Sequence, residues 1–190
     1  LKRSYFEDNP VSTYLQDVIK CCQELKEVDL SCIDDAKGLT YKDLEFLAKN
    51  ISPNVEKLNL GSSYIKDDHV KSLLRRCNKI KALSLDPLFI TDDSLKNIRQ
   101  HLNPTLEELS LGPNDGRFVS RHFGQAYYYF MVEQMINIFP GLFELKSMQR
   151  LKILNLCYIK DDGEKIQNLR QHLPHLMIKG VLNWLPLMAK

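Results

Sequence analysis

The chain has 190 residues, 44% of them apolar and 26% charged, with a formal net charge of +2. That length fits one domain able to bury a sizeable core, and the near-neutral balance does not by itself point to a nucleic-acid or membrane partner. No apolar run approaches the ~20 residues that span a bilayer, and nothing near Leu1 reads as a signal peptide.

Taken in chain order, the apolar residues recur at i, i+3, i+4, i+7, the spacing of one face of a helix. Leu15, Val18, Ile19 and Cys22 make the first such stripe, Leu44, Leu47, Ala48 and Ile51 the second, and Val70, Leu73, Leu74 and Cys77 the third. Thinner stripes follow at Leu95, Ile98 and Leu102 and at Ile166, Leu169 and Leu173. Each helix is followed by an L-x-x-L-x-L segment: LKEVDL from Leu25, VEKLNL from Val55, IKALSL from Ile80, LEELSL from Leu106 and LKILNL from Leu151, with a half-copy, LMI, from Leu176. The last two apolar positions alternate as in a short strand, which predicts strands at 28–30, 58–60, 83–85, 109–111 and 154–156.

The steps between these segments are 30, 25, 26, 45 and 25 residues. A strand plus a helix every ~20–29 residues is the leucine-rich repeat signature, in which stacked units share a core that none buries alone. The expected fold is therefore α/β: a leucine-rich repeat solenoid of about five repeats plus a terminal half-repeat, with parallel strands on the concave face and helices on the convex face. Residues 1–190 form one domain, with an insertion at 112–140 that accounts for the long step. Within the insertion Tyr128, Met131, Val132, Met135 and Phe139 are spaced as a helical stripe, read as core, while Arg117, Arg121, His122 and Tyr127 are candidates for an exposed, partner-binding part.

Paired carboxylates in YIKDD (Tyr64 to Asp68), FITDD (Phe89 to Asp93) and the second YIKDD (Tyr158 to Asp162) invite a catalytic or metal reading. Their repeat-equivalent spacing lays them side by side along a rim. Asp67, Asp92 and Asp161 are therefore expected to be helix N-caps, with Thr40 in the matching place, and Ile65, Ile90 and Ile159 to be core. No metal or cofactor is expected.

Side chains that flank the inward leucines form two columns on the sheet: Glu27, Lys57, Ala82, Glu108 and Ile153, then Asp29, Asn59, Ser84, Ser110 and Asn155. They are mixed in charge and mostly small, which suits a protein or peptide ligand and lacks the basic stripe of a nucleic-acid binder. Lys57, Asn59, Ser84, Glu108, Arg117 and Arg121 are the candidate contacts. G-x-S-x-G, H-E-x-x-H, G-x-x-x-x-G-K-[ST] and G-x-G-x-x-G are all absent, so no catalytic residue is assigned and the chain is read as a non-enzyme. Five cysteines without a C-x-x-C pair predict buried free thiols in a reducing compartment, cytoplasm or nucleus.

CNKIKALSLDPLFITDDSL, Cys77 to Leu95, resembles the cysteine-containing class of leucine-rich repeats found in F-box proteins, C-x-x-L-x-x-L-x-L-x-x-C-x-x-I-T-D-x-x-L. Cys22 and Cys77 keep the class cysteine; Ser52, Asn103, Met148 and Leu173 replace it elsewhere. The segment from Phe139 to Lys179, closing in LPHLMIK, is similar to the last repeats of the S-phase kinase-associated F-box protein family. The resemblance implies the substrate-recognition part of a cullin ubiquitin ligase, joined to a Skp-type adaptor through an F-box. Residues 1–24 read as the helix of a preceding repeat, so an F-box either lies outside this chain or does not belong to the protein. The alternatives are a stand-alone intracellular repeat scaffold and, disfavoured by the modest charge, an RNA-binding repeat domain.

Overall fold

The computed structural model describes residues 10–31, 39–61, 65–85, 90–112, 139–156 and 164–180. In chain order they form α1 (Pro10–Cys21), β1 (Glu27–Asp29), α2 (Tyr41–Asn50), β2 (Lys57–Leu60), α3 (Asp67–Arg76), β3 (Ala82–Leu85), α4 (Asp92–Leu102) and β4 (Glu108–Leu111). Then come a single turn, α5 (Phe139–Leu142), a 3₁₀ segment (Phe143–Ser147), β5 (Ile153–Asn155), α6 (Glu164–His172) and β6 (Met177–Lys179).

The strands pair in sequence order in one six-stranded sheet, every neighbour parallel. A parallel pair needs a crossover, and right-handed crossovers advancing in one direction put every helix on the same side of the sheet. The helices accordingly pack in order, α1 on α2, α2 on α3, α3 on α4, and α4 on α5 and the 3₁₀ segment. The fold is α/β with a solenoid-like order of units. The five expected strands lie within a residue of their expected ends, and the half-copy at Leu176 supplies β6.

The middle strands turn their leucines to the helices. Leu58 and Leu60, Leu83 and Leu85, and Leu109 and Leu111 are at most 3% exposed, and they join the helical stripes in one apolar cluster running from Leu15 to Leu176. The stripes of α2, α3, α4 and α6 are buried as expected. That of α1 is not: Leu15 and Ile19 are buried, but Val18 is 50% exposed, and the thiols of Cys21 and Cys22 are exposed and not buried as expected; of the described cysteines only Cys77 is buried. α1 is the first described element, so the flank that later helices press against a preceding unit has no described neighbour.

The aspartates correct the capping assignment. Asp67 and Asp92 are the first helical residues of α3 and α4, while Lys66 and Thr91 occupy the N-cap positions. Thr91 Oγ1 accepts from the Asp93 N–H at 3.2 Å. Thr40, correctly expected to cap α2, forms a capping box in which Asp43 accepts the Thr40 N–H at 2.9 Å. The carboxylates instead reach the next unit. Asp67 accepts from the Thr91 N–H and Thr91 Oγ1, both at 2.9 Å, and from Ser94 Oγ at 2.5 Å. Asp92 accepts the Gly141 N–H at 2.8 Å, an approach so close that a Cβ on Gly141 would lie 2.7 Å from Asp92 Oδ1 and 2.9 Å from its Cα. An aspartate one residue past the cap thus ties the entry of α3 to that of α4, and the entry of α4 to that of α5. Asp161 and Ile159 lie outside the described residues; Ile65 and Ile90 are buried.

Helix exits are tied as well. Ser52 Oγ donates to the Gln23 carbonyl at 2.5 Å, Cys77 Sγ to the Ser52 carbonyl at 3.3 Å, and Thr105 Oγ1 to the Asn78 carbonyl at 3.3 Å. Carbonyls at helix ends lack intrahelical partners, and a small donor from the next unit supplies one. Burial pushes the Cys77 thiol up to about 11, which keeps it protonated and inert.

Candidate protein-binding surface

The strand register aligns the residues flanking the inward leucines into two rows. One runs Glu27, Lys57, Ala82, Glu108, Ile153 and Met177; the other runs Asp29, Asn59, Ser84, Ser110, Asn155 and Lys179. Both expected columns are present, and β6 extends each by one residue. Because the helices cover the other face, these rows form one that is open among the described residues.

A depression of about 220 Å³ lies on it. Lys57, Asn59, Ser84 and Glu108 all line it, with Glu27, Asp29 and Ser110. Its depth comes from residue size: Ala82, Ser84 and Ser110 form a low floor between longer side chains. Ser84 is only 7% exposed, so it is floor and not rim. Arg117 and Arg121 lie outside the described residues, as do the other candidates of the insertion from His122 to Met135.

Electrostatics differ along the rows. Lys57 Nζ lies 2.7 Å from Glu27 Oε1, and that hydrogen-bonded pair, with weaker pulls from Glu56 and Glu108, raises the lysine above its ordinary value. For Asp29, burial is the largest influence and pushes its carboxyl up. Hydrogen bonds from Ser31, at 2.9 Å from N–H and 2.7 Å from Oγ, together with one from Asn59, outweigh it and hold the group low. Asn59 Oδ1 also accepts the Gly61 N–H at 3.1 Å. Glu108 has neither an ion pair nor a hydrogen bond to its side chain among the described residues.

Beside the rows runs a ladder of alternating charge that the motif reading missed: Lys26, Glu56, Lys81, Glu107 and Lys152, the second residue of each L-x-x-L. Lys81 Nζ reaches Glu56 and Lys152 Nζ reaches Glu107, each at 2.6 Å. The signal was present as a sign that flips at each repeat.

On the helix side a second hollow, about 310 Å³, lies over α3 and α4 and holds Asp67, Asp68 and Asp93. Asp67 is engaged by Thr91 and Ser94, and Asp93 pairs with Lys96 at 3.0 Å. Among the described residues no group of three or more His, Cys, Asp or Glu is placed to hold a metal ion, and no helix is long and apolar enough to cross a membrane.

No protein-family model matches the chain, and no curated protein matches it. Among solved structures it is similar to one described as Leiomodin-1 Actin-Binding Site 2 (ABS2), with 19% sequence identity, a TM-score of 0.48, and coverage of 87% of this chain and 90% of that one.

Proposed function

We propose that the chain is a leucine-rich repeat solenoid whose open sheet face binds a protein or peptide, and that it catalyses nothing itself. The observation that carries this reading is the convergence of Lys57, Asn59, Ser84 and Glu108 on one depression of the sheet face that no described helix covers. A stack of repeats offers such a face without any cost to its core, because the residues lining it alternate with those that hold the fold. The F-box-type repeat from Cys77 to Leu95 supports a particular form of it, substrate recognition in ubiquitin ligation. In that form a Skp-type adaptor joins through a segment other than these repeats.

The test is affinity capture from cell extract with the wild-type chain, the double reversal Lys57→Glu with Glu108→Lys, and a helix-side control, Arg75→Glu. Specific partners should be lost with the double reversal and kept with the control, at unchanged Tm. Equal capture by all three sinks the surface assignment. Co-purification of a Skp-type adaptor with the longest natural form of the protein separates the ligase reading from the stand-alone scaffold.

A further inference from the structure

The open face is not uniform, and its change of character runs along a single row. At the β1–β2 end the charges are already answered: Glu27 by Lys57, and Asp29 by Ser31 and Asn59. On β4, Glu108 is exposed and has no side-chain partner among the described residues. The register then passes from Glu108 to half-buried Ile153 on β5 and to Met177 on β6. Met177 is 55% exposed, a large apolar side chain left in water.

Neighbouring strands are about 4.8 Å apart, so Glu108 and Met177, two strands apart, are separated by about 10 Å across the sheet. A polyproline-II segment rises about 3.1 Å per residue with three residues per turn, which puts residues i and i+3 on one side about 9 Å apart. A segment lying across the strands therefore matches the row. The sign of its charge follows from the surroundings. Glu107 is already held by Lys152, so the sign rests on Glu108 itself: an anionic residue placed there meets a like charge, whereas a cationic one gains a carboxylate whose one electrostatic contact is a weak pull on Lys57.

Building on the proposed role of this face, we propose that it takes an extended segment of a partner protein. That segment presents an Arg or Lys to Glu108 and, three residues away, a Leu- or Met-like side chain to Ile153 and Met177. The cation supplies orientation and the apolar contact supplies burial, the usual division in a peptide groove.

The experiment titrates the isotope-labelled full chain with synthetic nonapeptides in a Ser/Pro background, followed by NMR. The peptides carry Arg and Leu three residues apart, Glu and Leu at the same places, or Arg alone. The Arg/Leu peptide is expected to bind about tenfold more tightly than the Glu/Leu peptide, about 1.4 kcal/mol, with shifts at Ser110, Ile153 and Met177. Glu108→Lys should invert that preference, and Met177→Ser should bring the Arg/Leu peptide down to Arg alone. Equal or tighter binding of the Glu/Leu peptide, or indifference to Glu108→Lys, overturns the inference. A photoreactive residue in place of Ala82, in cells, separates this from the broader reading. A partner captured there through a segment without the cation–apolar pair leaves the open face as a binding surface and overturns the segment's assigned chemistry. No capture and no peptide binding overturns both.

Discussion

The entries of α3 and α4 solve one packing problem with different chemistry. In both, the first residue of the preceding helix leans on the entry of the next. Between α3 and α4 it is Asp67, which takes three hydrogen bonds from Thr91 and Ser94. Between α2 and α3 it is Tyr41, whose ring meets His69 edge-on with centroids 4.5 Å apart. His69 is 3% exposed; its Nδ1 accepts the Lys66 N–H at 3.2 Å, and its Nε2 is buried without a partner among the described residues. Asp43, His69 and Ser94 hold the same third position of successive helices and are all buried. The difference teaches that the repeat requires a contact at this place but not a particular one. Only the Asp67 junction satisfies every polar group it buries, and an orphaned N–H costs free energy that a satisfied one does not.

A change in the shared core sets the scale. Leu83, on β3 between both junctions, has neighbours on either side and is 3% exposed. Leu83→Ala should cost about 2–5 kcal/mol by denaturant titration and should loosen both helix entries alike in hydrogen exchange. Loss of protection at one entry alone would mean that the two junctions do not share the core.

Asp67→Ala is the direct attack on the better junction. It leaves the buried Ser94 hydroxyl and the Thr91 N–H without their acceptor, and the cost should be about 1–3 kcal/mol. Asp92→Ala removes a single hydrogen bond, to the Gly141 N–H, and should cost about 0.5–1.5 kcal/mol. If the two mutants were equal in denaturant titrations, counting bonds across a junction would not rank it.

The strands and helices were legible because their cause is periodic. Leucine at L-x-x-L-x-L can serve only if alternate residues point to one core, and that constraint survives without coordinates. The role of Asp67 was hidden because a carboxylate at a helix start fits a cap and a cross-repeat tie equally well. The discriminating signal lay one residue earlier: aligning Leu44 with Leu95 sets Thr40 against Thr91, not against Asp92. Val18 and Cys22 misled for a different reason. Their spacing was right, but periodicity says which face is apolar, not whether a neighbour covers it. Lys57, Asn59, Ser84 and Glu108 fall in the two rows that strand alternation predicts. Ser84 sinking into the floor depends on the length of its neighbours, which no single column of sequence displays.

The weaker junction should also be the one that answers to pH. Burial lowers the His69 pKa from its ordinary 6.5, against smaller upward pulls from Asp68 and Glu45, with Lys66 adding a downward one. The unfolded chain therefore binds this proton more readily than the folded one. The resulting stability is whole above pH 6.5 and is lost as the pH falls through the folded-state value below it. His69→Asn keeps an acceptor for the Lys66 N–H and removes the titration. Wild type should lose more Tm between pH 7.5 and 5.5 than His69→Asn does. Parallel losses would assign the acid sensitivity elsewhere and leave the two junctions equal in this respect.

The smallest effect is expected where the ties between repeats are most visible, in the charge ladder. Lys81 and Glu56 meet at 2.6 Å but remain substantially in water, with side chains 55% and 33% exposed. Holding two long side chains together there costs entropy that offsets most of the attraction, and salt screens the remainder. The Lys81 hydrogen bond holds Glu56 below the usual carboxylate range, a measure of attraction between the two charges and not of a contribution to folding. Lys81→Ala should therefore move Tm by less than about 2 °C, and less again at 1 M salt. Lys81→Glu is the sharper variant. It sets a third carboxylate between Glu56 and Glu107, and should lower Tm at low salt with recovery as salt is added. If Lys81→Ala cost as much as Asp67→Ala at every salt concentration, exposed ion pairs and not buried hydrogen bonds would hold successive repeats together, and the contrast between the two junctions would lose its physical basis.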